Sequence, residues 1–153
     1  MTAKDINTLF REKGLTLGSV ESFTGGLFAR EITRVPGASK FYKGGFVTYA
    51  TEEKIRILGV SEETVKQKGV VSQECGYEMA AHARCLLDVD YCVSFTGNAG
   101  PDAMEGKPVG EIYIGIGCEQ ICRVYKYNLS GTREEIQAQA VELAYEILES
   151  LIN

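Results

Sequence analysis

One serine, one tyrosine and one lysine stand where a small molecule could meet them. Ser22 lies in Val20-Glu21-Ser22-Phe23-Thr24-Gly25-Gly26, where an apolar run gives way to a charge and a hydroxyl and then to two glycines. Leu27, Phe28 and Ile32 follow at helical spacing, so the stretch reads as a strand-to-helix turn. In an α/β protein such a turn lies at the carboxyl end of a strand, where open sheets hold their ligands. Glycine lets a ligand approach the backbone, and a helix starting here offers free N–H groups to an anion. Ser22 or Thr24 serving only as the helix cap is the competing reading.

A serine nucleophile needs a base. The sole histidine, His82, sits between alanines in the middle of a helical pattern and reads as a packing or surface residue, which argues against a Ser-His-Asp triad. Lys54 is the better candidate. It falls in the first turn of a predicted helix, where the macrodipole disfavours a cation, and burial would lower its proton affinity further. Tyr49 stands five residues earlier at a predicted strand end and can hydrogen-bond that amine or relay a proton. Glu52 and Glu53 act against a neutral amine, and a solvated surface lysine is the alternative. A second glycine-rich strand end, Thr96-Gly97-Asn98-Ala99-Gly100-Pro101-Asp102, offers Thr96, Gly97 and Gly100 as donors or as points of close approach, or else is simply a tight turn. Neither Cys118-x-x-x-Cys122 nor the scattered Asp and Glu residues have metal-ligand spacing, so no metal is expected.

These residues need a scaffold of alternating helices and strands. Ile6, Leu9 and Phe10 predict a short amphipathic helix ending near Gly14, and a strand follows over 15–21. Helix 26–34 ends before a Pro-Gly loop, and 44–50 reads as a strand. Thr51 is placed as the N-cap of a helix closed by Gly59. A short helix begins at Ser61, and Ser72 caps a longer one with Cys75, Met79, Ala83 and Leu86 on one face. The compact apolar run 91–95 is a strand buried on both faces, and 109–118 with 121–129 form an antiparallel hairpin through Glu119-Gln120. Thr132-Arg133-Glu134-Glu135 is a capping box for a last helix carrying Ile136, Ala140, Leu143, Ile147 and Leu151 in one stripe. The order predicts a three-layer α/β/α sandwich with a mixed, mostly parallel sheet of about five strands.

Composition narrows the partners. The 153 residues are 44% hydrophobic and 24% charged, the size of a single domain over 1–153 with one sizeable core. A net charge of −5 and a pI near 5.0 oppose nucleic-acid binding and suit a small charged metabolite. Five cysteines with no C-x-x-C pair, four of them in apolar surroundings, suggest reduced, buried thiols. Polar residues follow Met1, and no apolar run approaches the roughly 18 residues of a spanning helix, so a soluble, cytoplasmic protein is expected with no membrane partner.

Several blocks together resemble the CinA C-terminal domain family: Glu21-Ser22-Phe23-Thr24-Gly25-Gly26-Leu27, residues 35–50, residues 52–60, Gly69-Val70-Val71-Ser72, residues 96–101, and Lys107-Pro108-Val109-Gly110. They run in order over nearly the whole chain, which is far more specific than a lone glycine motif. Characterised members of that family are nicotinamide-nucleotide amidohydrolases, which convert nicotinamide mononucleotide to nicotinate mononucleotide and ammonia. The resemblance implies a five-stranded α/β/α fold, a serine–lysine amidase site without cofactor or metal, a pyridine nucleotide as small-molecule substrate, and a homo-oligomer. It places the family's catalytic serine, tyrosine and lysine on Ser22, Tyr49 and Lys54. The substrate-binding set falls on Thr24, Gly25, Gly26, Thr96, Gly97, Gly100 and Arg133, with the amides of the 24–26 turn as candidates for either an oxyanion hole or a phosphate site. Alternatives are a nucleotide-binding module without turnover, or an amidase for another small amide.

The chain departs from the family pattern at four places. Phe23 stands where cysteine is usual and Asn98 where an apolar residue is usual. The usual Gly-Gly between Pro101 and Lys107 is replaced by Asp102-Ala103-Met104-Glu105-Gly106. In the last helix Gln137 stands where the family often has arginine. These departures bear on substrate recognition more than on the Ser-Tyr-Lys set.

Overall fold

A computed structural model describes residues 1–153. The apolar runs form five strands: β1 (Leu17–Glu21), β2 (Tyr42–Val47), β3 (Tyr91–Gly97), β4 (Glu111–Gly117) and β5 (Cys122–Asn128). They make one sheet in the order β2-β1-β3-β4-β5. β1 pairs in parallel with both β2 and β3, whereas β4 runs antiparallel to β3 and β5 antiparallel to β4. The register aligns Glu21 with Val47 on one side and with Phe95 on the other, so the carboxyl ends of β1 and β2 finish level and β3 runs on to Gly97 beside them.

Six helices cover the sheet: α1 (Ala3–Lys13), α2 (Leu27–Thr33), α3 (Thr51–Leu58), α4 (Glu62–Lys68), α5 (Gln73–Leu87) and α6 (Arg133–Ile152). Alternation along each strand divides the core. Leu17, Val93, Phe95, Ile112, Ile114 and Ile116 face α1, α2 and α6, meeting Phe10, Phe28, Ile136 and Leu148. Val20, Cys92 and Tyr113 face the opposite way, meeting Leu58 of α3 and Met79 and Ala83 of α5. The result is the expected α/β/α layering, and each fully buried large apolar side chain contributes about 1.5–3 kcal/mol. Gly115 lets α5 approach the sheet closely, because a Cβ there would stand 2.8 Å from the Gly76 carbonyl. That carbonyl accepts the Ser94 hydroxyl at 2.7 Å, fixing helix to strand.

The caps follow the sequence except at α3 and at α2, whose N-cap is Gly26 with no side-chain bond, so that neither Ser22 nor Thr24 serves as its cap. Thr2 and Thr132 form capping boxes with Asp5 and Glu135, and Ser61 and Ser72 cap α4 and α5. In α3, Ala50 occupies the N-cap without a side-chain bond and Thr51 is already helical, so the expected Thr51 cap is absent. β2 starts and stops earlier than 44–50, because it pairs with β1 from Tyr42 and its ladder closes at Val47. Tyr49 therefore lies in the loop beyond the strand. Leu86 is exposed at the end of α5 rather than in its buried face. Only Cys75 and Cys92 are buried; Cys118 and Cys122, at the hairpin rim, are half-exposed, and Cys85 is exposed.

Candidate active site

The level strand ends bring the candidate residues together. Ser22 follows β1 directly, and its amide donates to the Phe95 carbonyl of β3 at 3.0 Å. On the other side the Thr48 amide donates to the Glu21 carbonyl at 3.0 Å. Beyond Thr48 the chain turns into α3, which returns Lys54 over the end of β1. The Lys54 side chain is almost fully buried, at 1% exposure. Its Nζ lies 2.9 Å from Ser22 Oγ, 2.7 Å from the Thr48 carbonyl and 3.2 Å from the Tyr49 carbonyl.

No carboxylate pairs with this amine. Burial pushes its pKa below the usual 10.5, outweighing the opposite pull of Glu105 and Glu52. Nζ meets three oxygens, which match the three N–H donors of the charged form. Once the amine loses a proton, two donors to the carbonyls leave one lone pair facing the Ser22 hydroxyl. The backbone carbonyls thus orient the amine.

Glu21 is a site residue that the sequence reading passed over. It is buried, and its two carboxylate oxygens accept the Phe28 and Ala29 amides at 3.0 Å each. The carboxylate therefore occupies the N-terminus of α2, a position expected to be free for an anionic ligand. The signal was present in the sequence: a carboxylate ends a buried strand just before a helix whose own cap, Gly26, has no side chain. The 24–26 turn is left with a different role. The Gly25 amide donates to the Ser22 carbonyl, while no protein acceptor engages the amides of Phe23, Thr24 or Gly26. The buried Thr24 hydroxyl also has no partner.

A cleft of about 290 Å³ opens beside Ser22 and Lys54, also lined by Thr96, Gly97, Asn98 and Arg133. Tyr49 and Arg133 form its rim. The Arg133 guanidinium donates to the Tyr49 hydroxyl at 2.8 Å and to the Gly100 carbonyl at 2.6 Å. The tyrosine therefore meets Lys54 through its backbone carbonyl, and its phenol is bonded to Arg133. The Thr96 hydroxyl donates to the Val70 carbonyl and is spent on holding that loop. Gly97 packs against Ile112, where a Cβ would come within 2.6 Å. Of the expected binding set, Thr24, Gly25, Gly26 and Gly100 do not line the cleft. Asn98 shapes its loop: its Oδ1 accepts the Gly100 amide at 3.0 Å and its backbone carbonyl accepts the Gly110 amide at 2.7 Å. Gln137 Nε2 donates to the Phe23 carbonyl at 2.8 Å, so the position often held by arginine here fixes the backbone after the serine. His82 is structural, its Nδ1 lying 2.8 Å from the Leu58 carbonyl that ends α3. No group of three or more His, Cys, Asp or Glu side chains is placed to hold a metal ion.

A family model for the CinA C-terminal domain matches residues 1–152. The chain belongs to that family. Curated relatives named putative competence-damage inducible protein are 42% identical over 151 residues in Listeria innocua and 38% identical over 149 residues in Bacillus subtilis, in each case covering 97% of this chain. The chain spans 36% of the length of these relatives. Among solved structures, a CinA superfamily protein from Escherichia coli superposes with a TM-score of 0.94 at 29% identity, covering 97% of this chain and 87% of that one. A competence/damage inducible protein from Agrobacterium tumefaciens gives 0.94 at 33% identity, covering 99% and 93%. The five-stranded mixed sheet and its helices are thus the CinA fold. No helix is long and apolar enough to cross a membrane.

Proposed function

We propose that this CinA domain is a serine–lysine amidohydrolase that deamidates nicotinamide mononucleotide to nicotinate mononucleotide and ammonia. The observation that carries the reading is the 2.9 Å contact between Ser22 Oγ and a buried Lys54 amine that has no carboxylate partner. Lys54 takes the hydroxyl proton while Oγ bonds to the carboxamide carbon. The Phe23 amide, which has no protein acceptor and belongs to a residue lining the cleft, is suited to the negative charge that develops on the carboxamide oxygen. The C–N bond then breaks, and the leaving nitrogen takes the proton held by Lys54 and departs as ammonia. Water attacks the acyl-serine with the same amine as base, releasing the acid and restoring Ser22.

Arg133 is the permanent cation of the cleft and serves the substrate phosphate, since Glu21 already fills the α2 terminus. A small anionic nucleotide rather than nucleic acid fits the net charge of −5. The direct test is ammonia release by purified protein from a panel of pyridine nucleotides. Wild type should release it, and Ser22→Ala and Lys54→Ala, both folded by circular dichroism, should not. Wild type that binds these nucleotides without releasing ammonia would replace the enzyme with a binding module.

A further inference from the structure

We propose that residues 102–106 form a specificity loop whose Met104 side chain selects a flat aromatic carboxamide, and that Glu105 holds the loop in position. The identity of the amide rests on the proposed function; the selecting residue and its anchor go beyond it. Five apolar or aromatic residues line the cleft: Phe23, Tyr49, Val70, Ala99 and Met104. Phe23, Val70 and Ala99 are already buried in the empty cleft and have little surface left to give a ligand. Met104 keeps 41% of its surface exposed; Tyr49 keeps 61%, but its phenol is tied to Arg133 at the rim. Met104 is therefore the untied apolar side chain with area to lose on binding, and a thioether makes favourable contacts with aromatic rings.

An exposed side chain selects only if its backbone is held. Glu105 accepts the Val70 amide at 2.9 Å and the Val71 amide at 3.0 Å. Lys107 lies 3.4 Å from the same carboxylate, and its Nζ also donates to the carbonyls of Lys68, at 2.7 Å, and Val71. The Lys107 amide closes the turn onto the Met104 carbonyl at 2.8 Å. The seat is tight: a Cβ on Gly69 would stand 2.6 Å from Glu105 Cδ. The loop is thereby clamped to the segment between α4 and α5, which also supplies Val70 to the cleft.

Calorimetric titration of Ser22→Ala protein tests this without requiring turnover. The probes are nicotinamide mononucleotide and ribose 5-phosphate, which has the phosphate and sugar but no ring. Met104→Ala on that background should weaken the nucleotide about tenfold and ribose 5-phosphate less than twofold, and Met104→Leu should restore part of the loss. Glu105→Ala should do the same, and adding Met104→Ala to it should cost nothing more, because the loop is already undocked. Equal weakening of both probes, unchanged nucleotide affinity, or additive losses in the double variant would each overturn the proposal. Failure of the amidohydrolase reading shows separately, as absence of ammonia from the wild-type protein.

Discussion

At the residue scale the proposed chemistry depends on one amine giving up its proton. Lys54 is stripped of water, has no carboxylate partner, and is held by two carbonyls, so that its deprotonated form directs a lone pair toward Ser22. The rate should therefore rise with pH through an apparent pKa below 10.5, the depressed value belonging to this side chain. Lys54→Arg places a permanent cation that cannot surrender its proton, so kcat/KM should fall by about 10²–10⁴ and the rising limb should vanish from the pH–rate profile. Loss of the rate with the limb retained would assign that titration elsewhere. Ser22 and Lys54 were legible in sequence because each falls at a predicted boundary, one after a strand and one in a helix's first turn. The Arg133–Tyr49 bond was not legible, because nothing in local spacing connects side chains 84 positions apart.

At the element scale the decisive device is the cap of α2. This helix has seven residues and a glycine N-cap with no side-chain bond, so it borrows the Glu21 carboxylate from the strand beneath it. The same residue precedes Ser22, which couples the helix start to the position of the nucleophile. Glu21→Ala leaves two amides without a partner in a buried setting and should lower stability by about 1–3 kcal/mol, read as a fall in the urea midpoint at constant slope. Most helices were readable from their caps, and the central strands from their unbroken apolar runs. β2 was misplaced because an edge strand buries only alternate residues, and its glycines blur the boundary. Thr51 has a side chain that fits a cap, but the Ala50 carbonyl already accepts the Lys54 amide and draws Thr51 into the first turn.

At the scale of the whole molecule, the family pattern and the layered fold were readable from the order of blocks, since a three-layer sandwich follows from alternating periodicities. The docking of 102–106 was not, because an inserted segment without periodicity leaves no trace of where its side chains land. The structure gives that loop a thermodynamic signature. Burial raises the Glu105 pKa, but the Val70 and Val71 amides and Lys107 pull it below the usual 4.5 overall. Such a carboxylate contributes stability that is fully present above pH 4.5 and is lost as the pH falls through the lower folded value. Thermal melts from pH 6 downward should show the wild-type midpoint dropping more steeply below about pH 4.5 than that of Glu105→Gln, which has no proton to gain. Parallel curves would mean that the clamp adds nothing to global stability.

The positions of the reacting pair and of the cleft walls have an evolutionary consequence. Ser22 and Lys54 both lie in the first half of the polypeptide, whereas Asn98, Met104 and Arg133 come from its second half. Inheritance can therefore revise what the cleft admits by altering one stretch of sequence, while the proton-transfer apparatus descends unchanged in another.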